Sequence, residues 1–113
     1  MPKVFDREDA MTRVEQDSQL LSELMDIFLT EYQDYLTAID NAIISKDTKK
    51  ITENAHSIKS ALGNIGAASS FELAKNLEFA ARKDQLEKAV GFSAALKTEV
   101  GKFLVEIEKF KSA

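Results

Sequence analysis

The sequence predicts an all-α fold, an antiparallel up-down-up-down four-helix bundle with a short additional N-terminal helix. The chain contains only four glycines and one proline, and no Asn-Gly or Asp-Gly turn joins two apolar segments. Strand-like alternation is absent, whereas apolar residues recur at helical intervals in four segments. Four amphipathic helices with short connections pack most simply as such a bundle.

The first two predicted helices cover the N-terminal part of the chain, from Asp6 to Ser45. Asp6 is the expected N-cap of a short helix that ends near Gln16 and covers one end of the bundle, with Asp9 completing an approximate capping box. A new helix begins at the pair Asp17-Ser18, and this second helix runs from about Ser18 to Ser45. Its predicted inward face consists of apolar residues three or four positions apart, namely Leu20, Leu24, Ile27, Phe28, Tyr35, Ile39 and Ile43.

The third helix shows an apolar stripe of helical period. Asp47 or Thr48 is the expected cap at its start, and Gly63 and Gly66 mark its end. The residues of the stripe are Ile51, Ala55, Ile58, Leu62 and Ile65.

Ser69 or Ser70 is the expected cap of the fourth helix, which continues to Lys83-Asp84-Gln85. Its inward residues are predicted to be Phe71, Ala74, Leu77 and Ala81. The last helix, from about Asp84 to Lys111, has the most regular spacing, with Leu96, Val100, Phe103, Ile107 and Phe110 on one face. No repeat, low-complexity tract or linker divides the chain, so we expect one domain over residues 1–113.

Composition excludes several classes of function. An apolar content of 44% is enough for one core, and the absence of cysteine excludes disulfides and thiolate metal sites. A formal charge of −4 has the wrong sign for a nucleic-acid or anionic-membrane binder. Apolar runs fall far short of the roughly 20 residues that cross a bilayer, and the N-terminus lacks a signal pattern. We therefore expect a soluble intracellular protein with protein partners.

One face of the third helix is neither apolar nor an ordinary charged surface. Thr52, His56, Lys59 and Gly63 follow at steps of 4, 3 and 4 and form a second stripe. His56 comes directly after core residue Ala55, so its ring is expected at the edge of the core with its tip exposed.

These residue types suit a site that accepts a phosphoryl group. A neutral imidazole is a good nucleophile near neutral pH, so His56 is the candidate acceptor. Lys59 can lay its ammonium beside the phosphoryl oxygens. Ser60 and Gly63 are small and are expected to leave a clearing, in which a partner brings its aspartate in line with the ring nitrogen.

A hairpin argument adds two candidates. If the third and fourth helices turn near Ala67, residues equally distant from the turn lie at the same height, and the residue opposite His56 is Glu78. A carboxylate there could accept a hydrogen bond from one ring N–H and leave the other nitrogen free to attack. Arg82, one turn further, would extend the positive rim.

Other interpretations of these residues stay open at this point. A lone histidine is more often a surface residue without a special role, and Gly63 with Gly66 more often a helix cap. Glu53-x-x-His56 matches half of a di-iron motif, but a second Glu-x-x-His is missing because the chain has one histidine. The sequence lacks the glycine-rich nucleotide-binding loop that a kinase would need. An adaptor bundle that binds a partner without chemistry is the main alternative.

The stretch Ala55-His56-Ser57-Ile58-Lys59-Ser60-Ala61-Leu62-Gly63-Asn64-Ile65-Gly66-Ala67 resembles the signature of HPt domains, the histidine phosphotransfer modules of phosphorelays. That signature is a histidine with lysine at +3, glycine at +4, serine or alanine at +5 and glycine near +10. All but one of these places match. Phe5-Asp6-Arg7-Glu8, Ile27-Phe28-Leu29 and Leu77-Glu78 also look like the family, so the resemblance covers essentially the whole chain.

The resemblance implies a reversible phosphoryl carrier in which a receiver-domain aspartate phosphorylates His56 and another aspartate takes the group. Lys59 assists, and Glu78 hydrogen-bonds the imidazole. Ser60 stands where the family usually has glycine, and its hydroxyl could bond to the His56 carbonyl or toward the phosphoryl group, which affects the transfer rate.

The implied partners are receiver domains of response regulators and hybrid histidine kinases, which are expected to dock along the second and third helices. No tightly bound cofactor or metal is expected, since the magnesium ion would be required by the partner. We expect a cytoplasmic monomer without kinase activity of its own.

Overall fold

The computed structural model describes residues 2–113, which form five helices and contain no strand. Met1, with which the predicted domain begins, lies outside the described residues. The all-α prediction is confirmed. The helices are α1 (Arg7–Arg13), α2 (Ser18–Ile44), α3 (Thr48–Asn64), α4 (Ala68–Arg82) and α5 (Leu86–Ser112).

The four longer helices form the predicted antiparallel bundle. Helix α2 packs on α3, α3 on α4 and α4 on α5, and α5 closes against α2. The connections are residues 45–47, 65–67 and 83–85. The middle residue of each has a left-handed backbone conformation, with φ of 56° at Lys46, 76° at Gly66 and 56° at Asp84. Such residues reverse the chain directly after a helix, so each helix meets its neighbour side by side.

Three aspartates cap helices: Asp6 as predicted, Asp47 as one of the two residues expected at the start of α3, and Asp17, for which no cap was predicted. The Oδ1 atoms of Asp6, Asp17 and Asp47 accept hydrogen bonds from backbone N–H groups of α1, α2 and α3 at 3.1, 3.0 and 3.1 Å. Helix α1 is shorter than predicted, because Glu15 and Gln16 have φ of 54° and 66° and turn the chain away from the helix.

The predicted capping box of α1 is incomplete. The Asp9 backbone N–H bonds to Asp6, but the Asp9 carboxylate does not return a hydrogen bond to that cap. It accepts a bond from Arg13 Nε at 2.9 Å instead. Only the N-cap half of the predicted motif is therefore present.

The predicted cap of α4 is wrong. The helix begins at Ala68 after Ala67 and has no side-chain cap. The Ser69 hydroxyl donates instead to Glu99 Oε1 at 3.0 Å. The Ser69 backbone N–H, one of the first-turn amides without a partner inside the helix, donates to the carbonyl oxygen of Lys3 at 2.8 Å. The backbone carbonyl of Lys3, distant in sequence, thus accepts a hydrogen bond from the first turn of α4, where a serine side chain was expected to do so.

The core matches the prediction in α3 and in most of α5, but only in part in α2, where Phe28 and Ile39 are buried as predicted. The whole predicted stripe of α3 is buried, as are Leu96, Val100, Phe103 and Ile107 of α5. In α2, Leu20 and Ile27 are 41% and 53% exposed. The buried residues of α2 are Leu21, Met25, Phe28, Ile39 and Ala42. Apolar residues occupy two adjacent faces at the start of this helix. The buried face is the one whose residues, such as Leu21 and Met25, come one position after Leu20 and Leu24.

The N-terminal segment covers one end of the bundle. The Phe5 ring packs edge-on against Phe103 and Phe110, at centroid distances of 5.9 and 6.0 Å. The Asp6 backbone N–H donates to the carbonyl oxygen of Gly66 at 2.7 Å. A Cβ on Gly66 would lie 2.6 Å from Asp6 O, so the segment reaches the α3–α4 turn only because this residue has no side chain.

No helix within residues 2–113 combines the length and the apolar character needed to cross a membrane.

Candidate functional site

The candidate site lies on the outer face of the α3–α4 pair. His56 is in the middle of α3, next to Ala55, which is fully buried. Its side chain is 60% exposed. The imidazole therefore projects from the surface while its backbone is held by the core stripe of the same helix.

Glu78 of α4 faces His56 across the helix pair. The two lie at equal distance from the turn at Ala67, and His56 Nδ1 is 3.2 Å from Glu78 Oε2. Glu78 is only 4% exposed although it carries a carboxyl group. The structure thus brings together the two residues that the hairpin argument paired.

Two cations share the Glu78 carboxylate with the imidazole. Lys59 Nζ lies 2.7 Å from Oε1, and Arg82 Nη2 donates to Oε2 at 2.6 Å. The expected place of the Lys59 ammonium beside a phosphoryl group stays a prediction. In the unmodified protein the half-buried ammonium pairs with Glu78, because a buried carboxylate requires opposite charge close by.

The net effect of this environment is to keep Glu78 ionised. Burial raises the pKa of the carboxyl group, but the ion pair with Lys59 and the hydrogen bonds from Arg82 and His56 outweigh it. The pKa of Glu78 therefore lies below its ordinary value. An ionised carboxylate only accepts hydrogen bonds, so the ring nitrogen that faces it, Nδ1, carries the proton. In the neutral form of the ring, Nε2 then has the lone pair.

Ser60 and Gly63 were both predicted to form a clearing beside the ring. Ser60 is exposed, and its hydroxyl donates to the carbonyl oxygen of His56 at 3.1 Å. At Gly63 the space is not open, because an added Cβ would lie 3.1 Å from Cδ2 of Phe71. Gly63 allows α3 and α4 to approach at this point, and its part in a docking clearing stays a prediction.

Sequence reasoning did not identify an apolar groove that lies between α2 and α3. Exposed Ile27 and half-buried Leu24 form one wall, and half-buried Ala61 lies on the other. The groove also includes Phe28, Glu31, Asn64 and Ile65. The doubled apolar spacing at the start of α2 was the available signal, since one helix cannot bury both faces in one core.

Within residues 2–113, no three histidine, cysteine, aspartate or glutamate side chains form a group that could hold a metal ion.

Comparison with known proteins gives three matches. The family model of the Hpt domain matches residues 23–105. The phosphorelay intermediate protein rdeA of Dictyostelium discoideum is 28% identical over 109 residues, which cover 96% of this chain and 43% of the relative. The chain thus spans less than half the length of that relative.

The third match is the crystal structure of histidine-containing phosphotransfer protein B (HptB) from Pseudomonas aeruginosa PAO1. It superposes with a TM-score of 0.89 at 20% identity, covering 100% of this chain and 99% of that one. This likeness confirms the predicted fold. Because the family model spans most of the sequence, the chain belongs to the Hpt domain family, the histidine phosphotransfer modules of two-component phosphorelays.

Proposed function

We propose that this chain carries a phosphoryl group on Nε2 of His56 between receiver-domain aspartates. One observation carries the proposal: an exposed imidazole has its Nδ1 held by a buried, ionised carboxylate at 3.2 Å. That contact sets the tautomer and orients the ring, so Nε2 is the nitrogen that attacks.

In the proposed transfer, the lone pair of His56 Nε2 attacks the phosphorus atom of a receiver aspartyl phosphate. The N–P bond forms as the P–O bond to the aspartate breaks, and the carboxylate leaves with the electron pair. Nδ1 keeps its proton, so the ring becomes positively charged and Glu78 stabilises it. The reverse sequence returns the phosphoryl group to another aspartate, which makes the carrier reversible.

Lys59 and Arg82 supply positive charge at the same place. Both contact Glu78 in the unmodified protein. Their side chains are long and flexible, so they can turn toward the phosphoryl oxygens while remaining near the carboxylate. We propose Lys59 as the electrostatic aid and Arg82 as part of the positive rim.

The receiver domain is proposed to dock along α2 and α3. The groove there presents Leu24, Ile27 and Ala61 between α2 and the C-terminal half of α3. Leu20, which is 41% exposed, extends this apolar surface by about one turn of α2. An apolar centre next to the reacting group is typical of protein interfaces.

The proposed carrier does not draw phosphate from ATP, because the sequence has no glycine-rich nucleotide loop. We also propose that residues 1–113 act as one domain and as a monomer, in the cytoplasm, where the ATP that feeds a phosphorelay is found. The magnesium ion of the reaction belongs to the receiver domain.

Incubation with a radiolabelled phosphorylated receiver domain tests the proposal. The expected product is a label on this chain that is acid-labile and alkali-stable, as a phosphohistidine is. The variant His56→Gln should take no label, and ATP alone should label neither protein. An adaptor without chemistry would bind the receiver but take no label, and that outcome would contradict the proposal.

A further inference from the structure

Ser60 lies one turn after His56 on the exposed face of α3. Residues four positions apart on a helix have Cβ atoms about 5–6 Å from each other. The Ser60 hydroxyl already reaches the backbone of His56, to whose carbonyl oxygen it donates at 3.1 Å. A group attached to the ring of His56 would lie on the same exposed face of α3 as this donor.

The hydroxyl and the cations flank the imidazole on different sides. At about 100° per residue, position i+3 lies about 60° to one side of position i and position i+4 about 40° to the other. Lys59 occupies the first of these positions and pairs with Glu78 on the α4 side. Ser60 occupies the second and faces away from that ion pair.

The present hydrogen bond of Ser60 is easily exchanged. It joins two neutral groups at the surface, and the backbone carbonyl of His56 already serves as an acceptor within the helix. A phosphoryl oxygen is charged and accepts a stronger hydrogen bond than a neutral carbonyl. Rotation of one side-chain torsion is enough to redirect the hydroxyl.

We infer that Ser60 donates a hydrogen bond to the phosphoryl group on His56 and prolongs the lifetime of the phosphohistidine. The inference rests on the proposed function of His56. Ser60, at the position where the family usually has glycine, would then determine how long the carrier keeps its phosphoryl group.

The direction of the effect follows from the charge in the reaction. When the group leaves, the N–P bond breaks, the electron pair returns to Nε2, and a P–O bond forms to water or to an aspartate. The transition state is loose, so the phosphoryl oxygens carry less charge there than in the phosphohistidine. A donor such as Ser60, which keeps its own proton throughout, therefore stabilises the bound group more than the transition state.

The test compares the half-lives of phosphohistidine in the full chain after removal of the donor receiver domain. In Ser60→Ala the half-life should fall about three- to tenfold, because a hydrogen bond to a charged group is lost. Ser60→Thr keeps the hydroxyl and should stay close to the wild type.

The matched control is Ser57→Ala. Ser57 is also exposed on α3, and its hydroxyl donates to the carbonyl oxygen of Glu53 at 3.1 Å, the same kind of bond one residue away from His56. Its removal should leave the half-life unchanged. Circular dichroism of each variant shows that the helices remain formed.

The outcomes separate the two proposals. If wild-type protein takes label but Ser60→Ala retains it as long as Ser57→Ala does, or longer, this inference is overturned and the proposed function stands. If wild-type protein takes no label at His56, the proposed function fails and this inference fails with it.

Discussion

At the scale of single residues, Glu78 determines the character of the site. It is buried, and one carboxylate receives Lys59 on Oε1 and both Arg82 and His56 on Oε2. Burial of a carboxylate is unfavourable unless charges and hydrogen-bond donors compensate it, and here the donors come from both α3 and α4. The same contacts that make Glu78 tolerable inside the protein therefore orient the imidazole.

Replacement of this carboxylate by an amide is expected to destabilise the fold. Glu78→Gln keeps the shape but leaves the Lys59 ammonium, which is half-buried, without its ion pair. We expect the free energy of unfolding in urea to fall by about 1–3 kcal/mol, less than for a fully buried pair because Arg82 is exposed. The control Asp9→Asn removes an exposed ion pair with Arg13 and should cost about 0.5 kcal/mol or less. Equal effects of the two substitutions would contradict this account.

The contribution of Glu78 to stability is also expected to depend on pH. Its pKa in the folded protein is lowered from the ordinary value of 4.5, so the folded state binds the proton less readily than the unfolded state. The stabilisation is fully present above 4.5 and is lost as the pH falls through the lower, folded pKa.

Urea unfolding of the wild type and Glu78→Gln at a series of pH values from about 5.5 to 3 measures this dependence. The difference between their free energies of unfolding should shrink as the pH falls. Glu99, whose pKa is lowered by its hydrogen bond to Lys102, titrates in both proteins and cancels in the difference. A difference that stays constant over this range would show that the charge of Glu78 is not what stabilises the fold.

At the scale of elements, the start of a helix could be predicted where neighbouring residues in the sequence determine it. Three helices start at aspartates whose side chains bond to the first turn, and a capping residue needs only its own next three residues. Helix α4 could not be predicted in this way, because its cap comes from Lys3, more than 60 positions away. The inward face of α2 depended likewise on which of two apolar faces the other helices cover.

The glycines inside the helices offer a test at this scale. A Cβ on Gly91 or Gly101 of α5 would have nothing within 4 Å, so these residues meet no packing requirement. Gly91→Ala and Gly101→Ala should each raise the free energy of unfolding by about 0.5–1 kcal/mol through helix propensity. Thermal unfolding followed by circular dichroism measures the gain.

Gly66→Ala is the contrasting substitution. Its φ of 76° is unfavourable for alanine, and the added Cβ would lie 2.6 Å from Asp6 O. We expect a loss of at least about 1 kcal/mol. A gain at Gly66, or no gain at both positions of α5, would contradict this assignment of roles to the glycines.

At the scale of the whole molecule, the site and the closed end of the bundle are different parts of one structure. The candidate site sits midway along the α3–α4 hairpin, and its pairing of His56 with Glu78 could be predicted because a tight turn sets helices in register. The position of the Phe71 ring, which leaves no room for a Cβ on Gly63, could not be predicted, since it depends on how closely the two helices approach. The N-terminal segment with α1 closes the end where α2 and α5 extend beyond the hairpin.

This separation predicts that the closed end can be weakened without changing the chemistry. Phe5→Ala removes the ring that packs on Phe103 and Phe110, so the free energy of unfolding should fall by about 2–3 kcal/mol, less than for a fully buried ring. Phe79→Ala, at a side chain with 59% exposure, is the control and should change it by about 0.5 kcal/mol or less. Under conditions where both variants are folded, each should take label from a phosphorylated receiver domain at the wild-type rate. A slower rate in Phe5→Ala alone would mean that the closed end holds the hairpin, and with it the imidazole, in position.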